Sequence, residues 1–295
     1  MHIWRFRTGS FRNRSWQLKR TMVLVRTTER HFWTKMEYGQ MSSKDISGPR
    51  AFSHVMGVRV DRLDMAGTVD AIKDLVSSGG PHRHLAVNAA KLVEARTDPA
   101  KADLYNGASL VSADGQAVVW ASRLLGEPLP ARVAGIDLMH ELVGVAASEG
   151  YRIYLLGATS SVVQDVVHIV QGRGANVVGW HDGFWRRTKT DEEMADVIRA
   201  SGADILFVAV PSPMKEEFIA QQLGRMSVPV SIGVGGSFDV VAGQTRRAPL
   251  LLQRLGLEWL FRLLQEPRRM FKRYFVGNSK FVFYLAAAFL KRSQA

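Results

Sequence analysis

The 295-residue sequence predicts an α/β protein with a Rossmann-like, largely parallel sheet, helices on both faces of that sheet and an amphipathic helical appendage at the C-terminus. Between Val55 and about Asp239, short apolar stretches alternate with segments of helical spacing, which is the pattern of strands joined by crossover helices. Several apolar stretches also end in glycine-rich turns, which are typical of the ligand-binding edge of an open α/β sheet. With 46% hydrophobic residues, the chain can bury such a core.

Six apolar stretches have the length and composition of buried strands. They are His84–Val87, Leu110–Ser112, Arg152–Leu156, Asn176–Gly179, Ile205–Val210 and Val230–Val234. Seven segments around them have helical spacing: Thr68–Ser77, Lys91–Asp98, Gly115–Leu125, Ile136–Glu149, Ser161–Gln171, Thr190–Ser201 and Lys215–Leu223. Thr190, with Glu193 three residues later, has the pattern of a capping box.

The two ends differ from this domain, which we place at residues 51–245. Residues 1–50 show no sustained periodicity and interleave basic residues with tryptophans, so we expect a poorly ordered extension, although a start codon further downstream would explain them equally well. Residues 246–295 predict a separable appendage that associates with a membrane. In it, an apolar helix over Leu250–Leu264 is broken at Pro267, and a second basic and aromatic helix covers Arg268–Phe275.

The net charge of +12 is concentrated in these two ends. Lys and Arg outnumber Asp and Glu by 11 to 3 in residues 1–50 and by 11 to 2 in residues 246–295, whereas the centre is slightly acidic. In the tail the basic residues alternate with apolar and aromatic ones, as on a helix in a lipid interface. Because no known nucleic-acid module accompanies them, we expect a membrane surface as partner and no nucleic acid.

Composition limits the chemistry and the location. The absence of cysteine excludes a disulfide framework, a thiolate zinc site and a cysteine nucleophile, and it fits a cytoplasmic protein. The most apolar stretch, Phe275 to Leu290, is interrupted by Asn278 and Lys280, so we expect no membrane-spanning helix. The first residues lack a signal-peptide core, so we do not expect secretion. The sequence leaves a homo-oligomer open.

The glycine-rich segment after the strand at Val230–Val234 predicts a phosphate site. It contains Gly233, Gly235, Gly236, Ser237 and Asp239. Glycines at the carboxyl end of a strand allow backbone N–H groups to approach a phosphate closely, although plain turns have the same composition. A second exit, at Gly157, opens into a helix whose N-terminus favours an anion, and helix capping explains those residues as well. A third strand exit places Lys215 and Glu216 at the start of a helix, where charged residues exposed to solvent are the simpler explanation.

Two polar residues follow predicted strands where a catalytic base is useful. Asp114 begins an Asp-Gly pair after Ala108–Ala113, and Asn88 follows His84–Val87. A carboxylate at this edge can take a proton from an attacking hydroxyl when burial raises its pKa, and a helix cap or an Asp-Gly turn is the structural alternative. No Asp-x-Asp pair occurs, so the carboxylate clamp that commonly holds a divalent metal on a nucleotide diphosphate is missing. Tail cations are candidates to neutralise such a diphosphate: Arg262, Arg268, Arg269, Lys272 and Arg273.

Taken together, these segments resemble the WecG/TagA/CpsF glycosyltransferase family in order from about Val55 to Tyr274. The resemblance rests on Asn88, Asp114-Gly115, Arg132-Val-Ala-Gly-Ile-Asp137, Tyr154-Leu-Leu-Gly157, His181-Asp-Gly-Phe184, Ser212-Pro-Met-Lys-Glu216, Gly233-Val-Gly-Gly-Ser-Phe-Asp239 and Arg247-Ala-Pro with Leu255-Gly-Leu-Glu-Trp-Leu260 and Glu266-Pro-Arg268. Many motifs in one order are far more specific than any one of them.

The resemblance implies an inverting, metal-independent transfer, with no cofactor, from a UDP-sugar to an undecaprenyl-diphosphate-linked saccharide at the inner face of the cytoplasmic membrane. It implies that Asp114 is the general base and Asn88 its neighbour in the donor pocket, and that appendage cations such as Arg262, Arg269 and Lys272 cover the diphosphate. It further implies donor contacts from Arg132, Asp137, Gly157, Phe184, Lys215, Glu216 and the glycine-rich segment.

Two positions depart from the family pattern. Members usually carry threonine where this chain has Ala86 and glutamine where it has Lys215, and both positions lie near the expected sugar pocket. The donor sugar therefore stays open between N-acetylmannosamine, its uronic acid and glucose. A different class, a dinucleotide-binding oxidoreductase, remains the alternative because glycine-rich exits serve dinucleotides too, although an early G-x-G-x-x-G with a following acidic residue is missing.

Overall fold

The computed structural model describes residues 50–254, 256–265 and 267–292, without the side chains of residues 250, 254, 262, 268–274, 291 and 292. The predicted basic extension therefore lies outside the described residues except for Arg50. All described residues belong to one compact unit.

The described chain begins with a β-hairpin that the sequence did not predict. Strands β1 (Phe52–Val55) and β2 (Val58–Asp61) pair antiparallel around a two-residue turn at Met56 and Gly57. Both turn residues have positive φ, 51° and 91°, as the tightest hairpin turns require. The strands are four residues each and the turn is Met-Gly rather than Asn-Gly, so neither the periodicity nor the turn composition marks the hairpin.

A six-stranded parallel sheet forms the centre of the described domain, as predicted. Its strands are β3 (His82–Val87), β4 (Leu110–Ala113), β5 (Arg152–Gly157), β6 (Asn176–His181), β7 (Ile205–Ala209) and β8 (Val230–Gly233). They lie in the order β4-β3-β8-β7-β5-β6. The first and last segments in sequence, β3 and β8, are therefore neighbours in the middle of the sheet, and their carboxyl ends share one edge.

Helices connect the strands on both faces. Up to residue 241 they are α1 (Met65–Ser78), α2 (Ala89–Thr97), α3 (Pro99–Asn106), α4 (Gln116–Leu124), α5 (Gly135–Glu149), α6 (Ser160–Gly172), α7 (Asp191–Ser201), α8 (Met214–Met226) and α9 (Ser237–Val241). The seven predicted helices are confirmed, and the Thr190–Glu193 capping box is present. The sequence missed α3 because Asp98 caps it and Pro99 opens it directly after α2.

Alternating residues of a strand pack into the hydrophobic cores on the two faces of the sheet. Ile153 and Leu155 of β5 pack with α1, α5, α6 and α9, whereas Tyr154 and Leu156 of the same strand pack with α7 and α8. Leu85 on β3 belongs to a third cluster, with α2, α3 and α4. The sheet is thus buried on both sides, which explains why its strands are almost continuously apolar.

The C-terminal segment forms three helices in place of the two predicted. These are α10 (Leu250–Arg254), α11 (Glu258–Gln265) and α12 (Pro267–Arg292). Gly256, with φ of 70°, interrupts the predicted helix over Leu250–Leu264. Pro267 opens α12, which continues far beyond Phe275 because Phe281 and its helical neighbours pack against α2. None of the helices in the described ranges is both long and apolar enough to cross a bilayer.

Candidate active site

The structure brings the two predicted strand-exit residues, Asn88 and Asp114, to adjacent places on the sheet edge. Val87 and Ala113 are register partners on β3 and β4, so Asn88 and Asp114 are the next residues on neighbouring strands. The Asp114 N–H donates to the Val87 carbonyl at 2.7 Å, which continues the parallel ladder by one step. Gly115 follows with φ of 134°, a conformation that a residue with a side chain rarely adopts.

Asn88 also has a structural task at this edge. Its side-chain oxygen accepts the backbone N–H of Lys91 at 3.2 Å and caps α2. The cap fixes the direction in which α2 leaves the sheet and thereby the position of Lys91, which sequence reasoning had not singled out.

The glycine-rich exit of β8 adjoins β3 at the same edge. Gly235 has φ of 55°, which turns the chain into α9. The Ser237 hydroxyl is buried and donates to the Val234 carbonyl at 2.7 Å, so it braces the turn, and Gly236 and Asp239 lie at the start of α9. Gly233 faces α8, because a Cβ there would lie 3.0 Å from Cδ of Lys215.

Three buried side chains next to this exit form what we call the lysine cluster: Lys91, Lys215 and Glu216. Glu216 Oε1 lies 2.8 Å from the ammonium nitrogen of Lys91 and 2.8 Å from that of Lys215. Its other oxygen accepts the Ser212 hydroxyl at 2.8 Å, and Lys91 also donates to the Ala86 carbonyl at 2.6 Å. The simpler explanation offered for Lys215 and Glu216, solvated charges at a helix end, is therefore wrong, because both residues are buried.

The charges within the lysine cluster shift the pKa values of its own members. Burial acts to raise the pKa of Glu216, but Lys91 and Lys215 outweigh it and lower that pKa to about 2. Burial and the charge of Lys91 lower the pKa of Lys215, against the opposing influence of Glu216 and Asp114. The contact of Lys215 with Gly233 places the cluster at the end of β8, beside β3.

His84 lies beneath the lysine cluster on β3 and was not singled out from the sequence as a site residue. Burial, with the charge of Lys91 as a smaller cause, lowers its pKa to about 3, so the imidazole is neutral at physiological pH. Its Nε2 lies 2.9 Å from the Ser112 hydroxyl on β4. A histidine inside an apolar strand is a weak sequence feature, and here it ties two strands together below the site.

The predicted donor residues Arg132 and Asp137 belong to a second set of charges, which we call the arginine network. Arg247 binds Asp137 through two hydrogen bonds of 2.6 and 2.7 Å, and it lies 3.4 Å from Glu258. Arg132 pairs with the same Glu258. Burial acts to lower the pKa of Arg247, but its two carboxylate partners raise it. The network joins α5 and the loop before it to α11, so it links the α/β domain with the C-terminal helices.

Two further predicted donor residues lie further along the sheet. A Cβ on Gly157 would lie 2.4 Å from the Ala209 carbonyl oxygen, so the close approach of β5 and β7 requires glycine there. Helix capping explains part of this exit, because the Thr159 side chain accepts the Val162 N–H and caps the helix that follows. Phe184 follows β6 and stacks under Arg187 at 4.5 Å. Gly183, the residue before it, donates its N–H to the Ala158 carbonyl, so this loop turns back over the exit of β5.

The predicted diphosphate cations Arg262, Arg269 and Lys272 lie in α11 and α12, and their side chains are outside the described residues. Their role stays a prediction. Within the described ranges, no three His, Asp or Glu side chains converge as metal ligands do.

The fold defines an open α/β protein, and its candidate ligand site is the carboxyl ends of the parallel strands β3, β4 and β8, the edge at which such sheets bind their ligands. Polar, basic and acidic side chains converge there next to a glycine-rich exit. This arrangement suits a phosphorylated ligand beside a carboxylate.

Comparison with known proteins assigns the family. Residues 53–295 match the model of the glycosyl transferase WecG/TagA/CpsF family. An N-acetylglucosaminyldiphosphoundecaprenol N-acetyl-β-D-mannosaminyltransferase of Bacillus spizizenii W23 is 36% identical over 178 residues, 60% of this chain and 68% of that protein. A protein of the same description from Staphylococcus aureus MW2 is 34% identical over 219 residues, 73% of this chain and 85% of that protein.

The chain belongs to the WecG/TagA/CpsF family and is a glycosyltransferase. This membership confirms the resemblance read from the motifs. It also decides against the oxidoreductase alternative.

Proposed function

We propose that this enzyme transfers a sugar from UDP to an undecaprenyl-diphosphate-linked saccharide, with inversion and without a metal ion, in the synthesis of a cell-envelope glycopolymer. The observation that carries the proposal is the juxtaposition of Asp114 and Asn88 at one sheet edge, beside the glycine exit of β8. A carboxylate and a glycine-rich turn therefore lie at one edge, which supports a displacement at a nucleotide-sugar with the carboxylate as base and the turn at the diphosphate.

The chemistry follows from this arrangement. The acceptor hydroxyl attacks C1 of the donor sugar from the face opposite the diphosphate, and its oxygen forms the new glycosidic bond. Asp114 takes the hydroxyl proton. The bond between C1 and the β-phosphate oxygen breaks, and its electron pair leaves with UDP. A single displacement of this kind inverts the anomeric centre.

The names of the relatives support one donor and acceptor above others. Both relatives are described as transferring N-acetylmannosamine to N-acetylglucosaminyl-diphosphoundecaprenol. We propose N-acetylmannosamine first, with its uronic acid and glucose as the other two candidates, because Ala86 and Lys215 distinguish this chain at the sugar pocket. The acceptor class follows from the same names.

Transfer from a panel of UDP-sugars to short undecaprenyl-diphosphate saccharide analogues tests the proposal, with product mass as the readout. We expect one increment of an N-acetylhexosamine, an N-acetylhexosaminuronic acid or a hexose, according to which of the three donors is used, and no product from nicotinamide cofactors. If no UDP-sugar is consumed with any acceptor of this class, the proposed function is wrong.

The C-terminal helices support a peripheral location on the inner membrane face. On α12, Phe281 is buried against α2, while Val282 and Phe283 remain 63% and 69% exposed. Transfer of an exposed apolar side chain from water into lipid is favourable, because it removes apolar surface from water. We propose that this exposed side meets the bilayer and that Arg262, Arg269 and Lys272 then cover the donor diphosphate.

Vesicle flotation tests the membrane contact. The double variant Val282→Ser/Phe283→Ser should bind phosphatidylglycerol vesicles about 100-fold more weakly than the wild type, because burial of the two apolar side chains contributes about 3 kcal/mol. Val197→Ser on α7, which is also exposed, is the matched control and should bind like the wild type. Equal binding by all three proteins would contradict a membrane contact through this side of α12.

A further inference from the structure

The lysine cluster contains more positive charge than its own carboxylate can balance. Two ammonium groups share one oxygen of Glu216, and the three side chains are only 3% to 10% exposed. A buried charge without a counter-charge is strongly destabilising. One positive charge of this cluster therefore has no carboxylate of its own within the cluster, and the charge of Asp114 acts on it from outside.

The two lysines differ in how they are held. Lys91 donates to the Ala86 carbonyl and also pairs with Glu216 at 2.8 Å, so its ammonium is held by two groups. The ammonium of Lys215 contacts Glu216 alone among the described residues, although a lysine has three N–H groups to donate. Lys215 is thus the member of the pair with hydrogen-bonding capacity left for a ligand.

Lys215 also lies where a donor is expected. Its alkyl chain runs over Gly233, the last residue of β8, and the absence of a Cβ there makes room for it. Its charge interacts with that of Asp114 at the end of β4. The Lys215 side chain therefore lies at the glycine exit, within electrostatic range of the proposed base.

The charge balance changes during the proposed reaction. When Asp114 takes the acceptor proton, it loses the negative charge that faces Lys215, and at the same moment the leaving UDP gains negative charge. An ammonium held in this position interacts more strongly with the donor in the transition state than in the ground state.

We propose that Lys215 binds an anionic oxygen group of the nucleotide-sugar donor, which makes it a specificity-determining residue of this enzyme. This inference rests on the proposed function. Two groups of a donor have the required chemistry: the diphosphate, and the carboxylate of a uronic acid sugar. Lys91 keeps Glu216 ionised and in place, and the positively charged ammonium of Lys215 contacts the donor.

The test compares Lys215→Gln with Lys101→Gln in the full chain. Lys101 pairs with Glu217, the residue after Glu216 on α8, so the control removes the same charge from a neighbouring but more exposed ion pair. Calorimetry measures the Kd values of UDP, UMP, UDP-glucose and UDP-glucuronate. Thermal unfolding without ligand measures the Tm of each variant.

We expect Lys215→Gln to raise the Kd of the ligands that this side chain binds by about 10- to 100-fold, because a hydrogen bond to a charged group contributes that much to affinity. Lys101→Gln should leave each Kd within about twofold of the wild-type value. A loss of affinity for UDP that exceeds the loss of affinity for UMP identifies the diphosphate as the bound group. A loss for UDP-glucuronate that exceeds the loss for UDP-glucose, with UDP unchanged, identifies a sugar carboxylate.

Stability separates a ligand-binding lysine from a structural one. Lys215→Gln leaves one lysine on one carboxylate, so its Tm should equal or exceed that of the wild type. Lys91→Gln should lower the Tm, because it also removes the bond to Ala86. A Lys215→Gln protein that melts well below the wild type, or one that binds all four ligands as the wild type does, overturns the inference. Wild-type protein that binds none of the four contradicts the proposed function itself.

Discussion

The lysine cluster and the arginine network are both sets of charges that the fold largely removes from water, but they differ in stoichiometry. In the arginine network, Arg132 and Arg247 face Asp137 and Glu258, so two positive charges meet two negative ones. In the lysine cluster, two positive charges meet one. A balanced set needs no ligand and joins two parts of the chain, whereas an unbalanced set at a ligand edge is prepared for an anion.

The largest effect that tests this contrast should come from the base beside the lysine cluster. Asp114→Asn should lower turnover by about 100-fold or more while the Kd of UDP stays within a few-fold, because a general base contributes to proton transfer rather than to nucleotide binding. Single-turnover kinetics and calorimetry on the same preparation provide both numbers. Turnover close to that of the wild type would remove Asp114 from the role of general base.

Acid should remove the stability that Glu216 contributes. Its folded pKa of about 2 lies below its ordinary value of 4.5, so its contribution is complete above pH 4.5 and is lost as pH falls toward 2. The shift corresponds to ~3 kcal/mol in the free energy of unfolding. Urea unfolding between pH 2 and 6 measures this loss.

The matched variant for that experiment removes the carboxylate and one lysine together, Lys215→Gln/Glu216→Gln, so that Lys91 keeps its bond to Ala86. We expect the free energy of unfolding of this variant to change less with pH between 4.5 and 2 than that of the wild type. Glu217→Gln, which removes an exposed carboxylate one residue further along α8, should follow the wild type. Parallel curves for all three would show that the lysines do not hold Glu216 ionised.

Breaking the arginine network should change stability and leave nucleotide affinity alone. Arg247→Ala removes two charged hydrogen bonds to Asp137 and the contact with Glu258, which should lower the free energy of unfolding by about 2 kcal/mol after allowance for the partial exposure of both carboxylates. Urea unfolding measures this loss, and calorimetry should give an unchanged Kd for UDP. The opposite pattern, stable protein with weakened UDP binding, would assign Arg132 and Asp137 to the donor site, as the family resemblance implies.

The sequence predicted the sheet well because buried parallel strands are apolar throughout and helices between them are amphipathic. It also located Asp114, Asn88 and Gly233, since polar or glycine residues directly after such strands belong to one edge. It could not show that Glu216 is shared by two lysines. Lys91 lies 125 positions before Glu216, and only the crossover order that sets β3 beside β8 brings them together.

The same limit applies to the arginine network and the hairpin. Asp137 and Arg247 are 110 residues apart, so an ion pair between them has no local pattern. The β1–β2 hairpin is short, and its strands show neither a long apolar run nor a typical turn sequence. Features set by long-range pairing or by four-residue strands are therefore the ones that sequence periodicity leaves undetermined.

The smallest effect should come from removing divalent metal ions. The chain has no Asp-x-Asp pair, and within the described residues no carboxylate and histidine side chains converge as metal ligands, whereas the lysine cluster offers a fixed positive charge at the donor edge. We therefore expect the transfer rate in excess EDTA to stay within about twofold of the untreated rate, since a resident ammonium already supplies the electrostatic stabilisation that Mg²⁺ provides in metal-dependent enzymes. The same assay on Lys215→Gln sharpens the comparison. If that charge substitutes for a metal, the variant should be slow with or without Mg²⁺, because no group of three His, Asp or Glu side chains in the described part of the chain is arranged to hold the ion. Activity of the wild type that disappears in EDTA and returns with Mg²⁺ or Mn²⁺ would show that the enzyme depends on a metal and that the lysine cluster does not replace it.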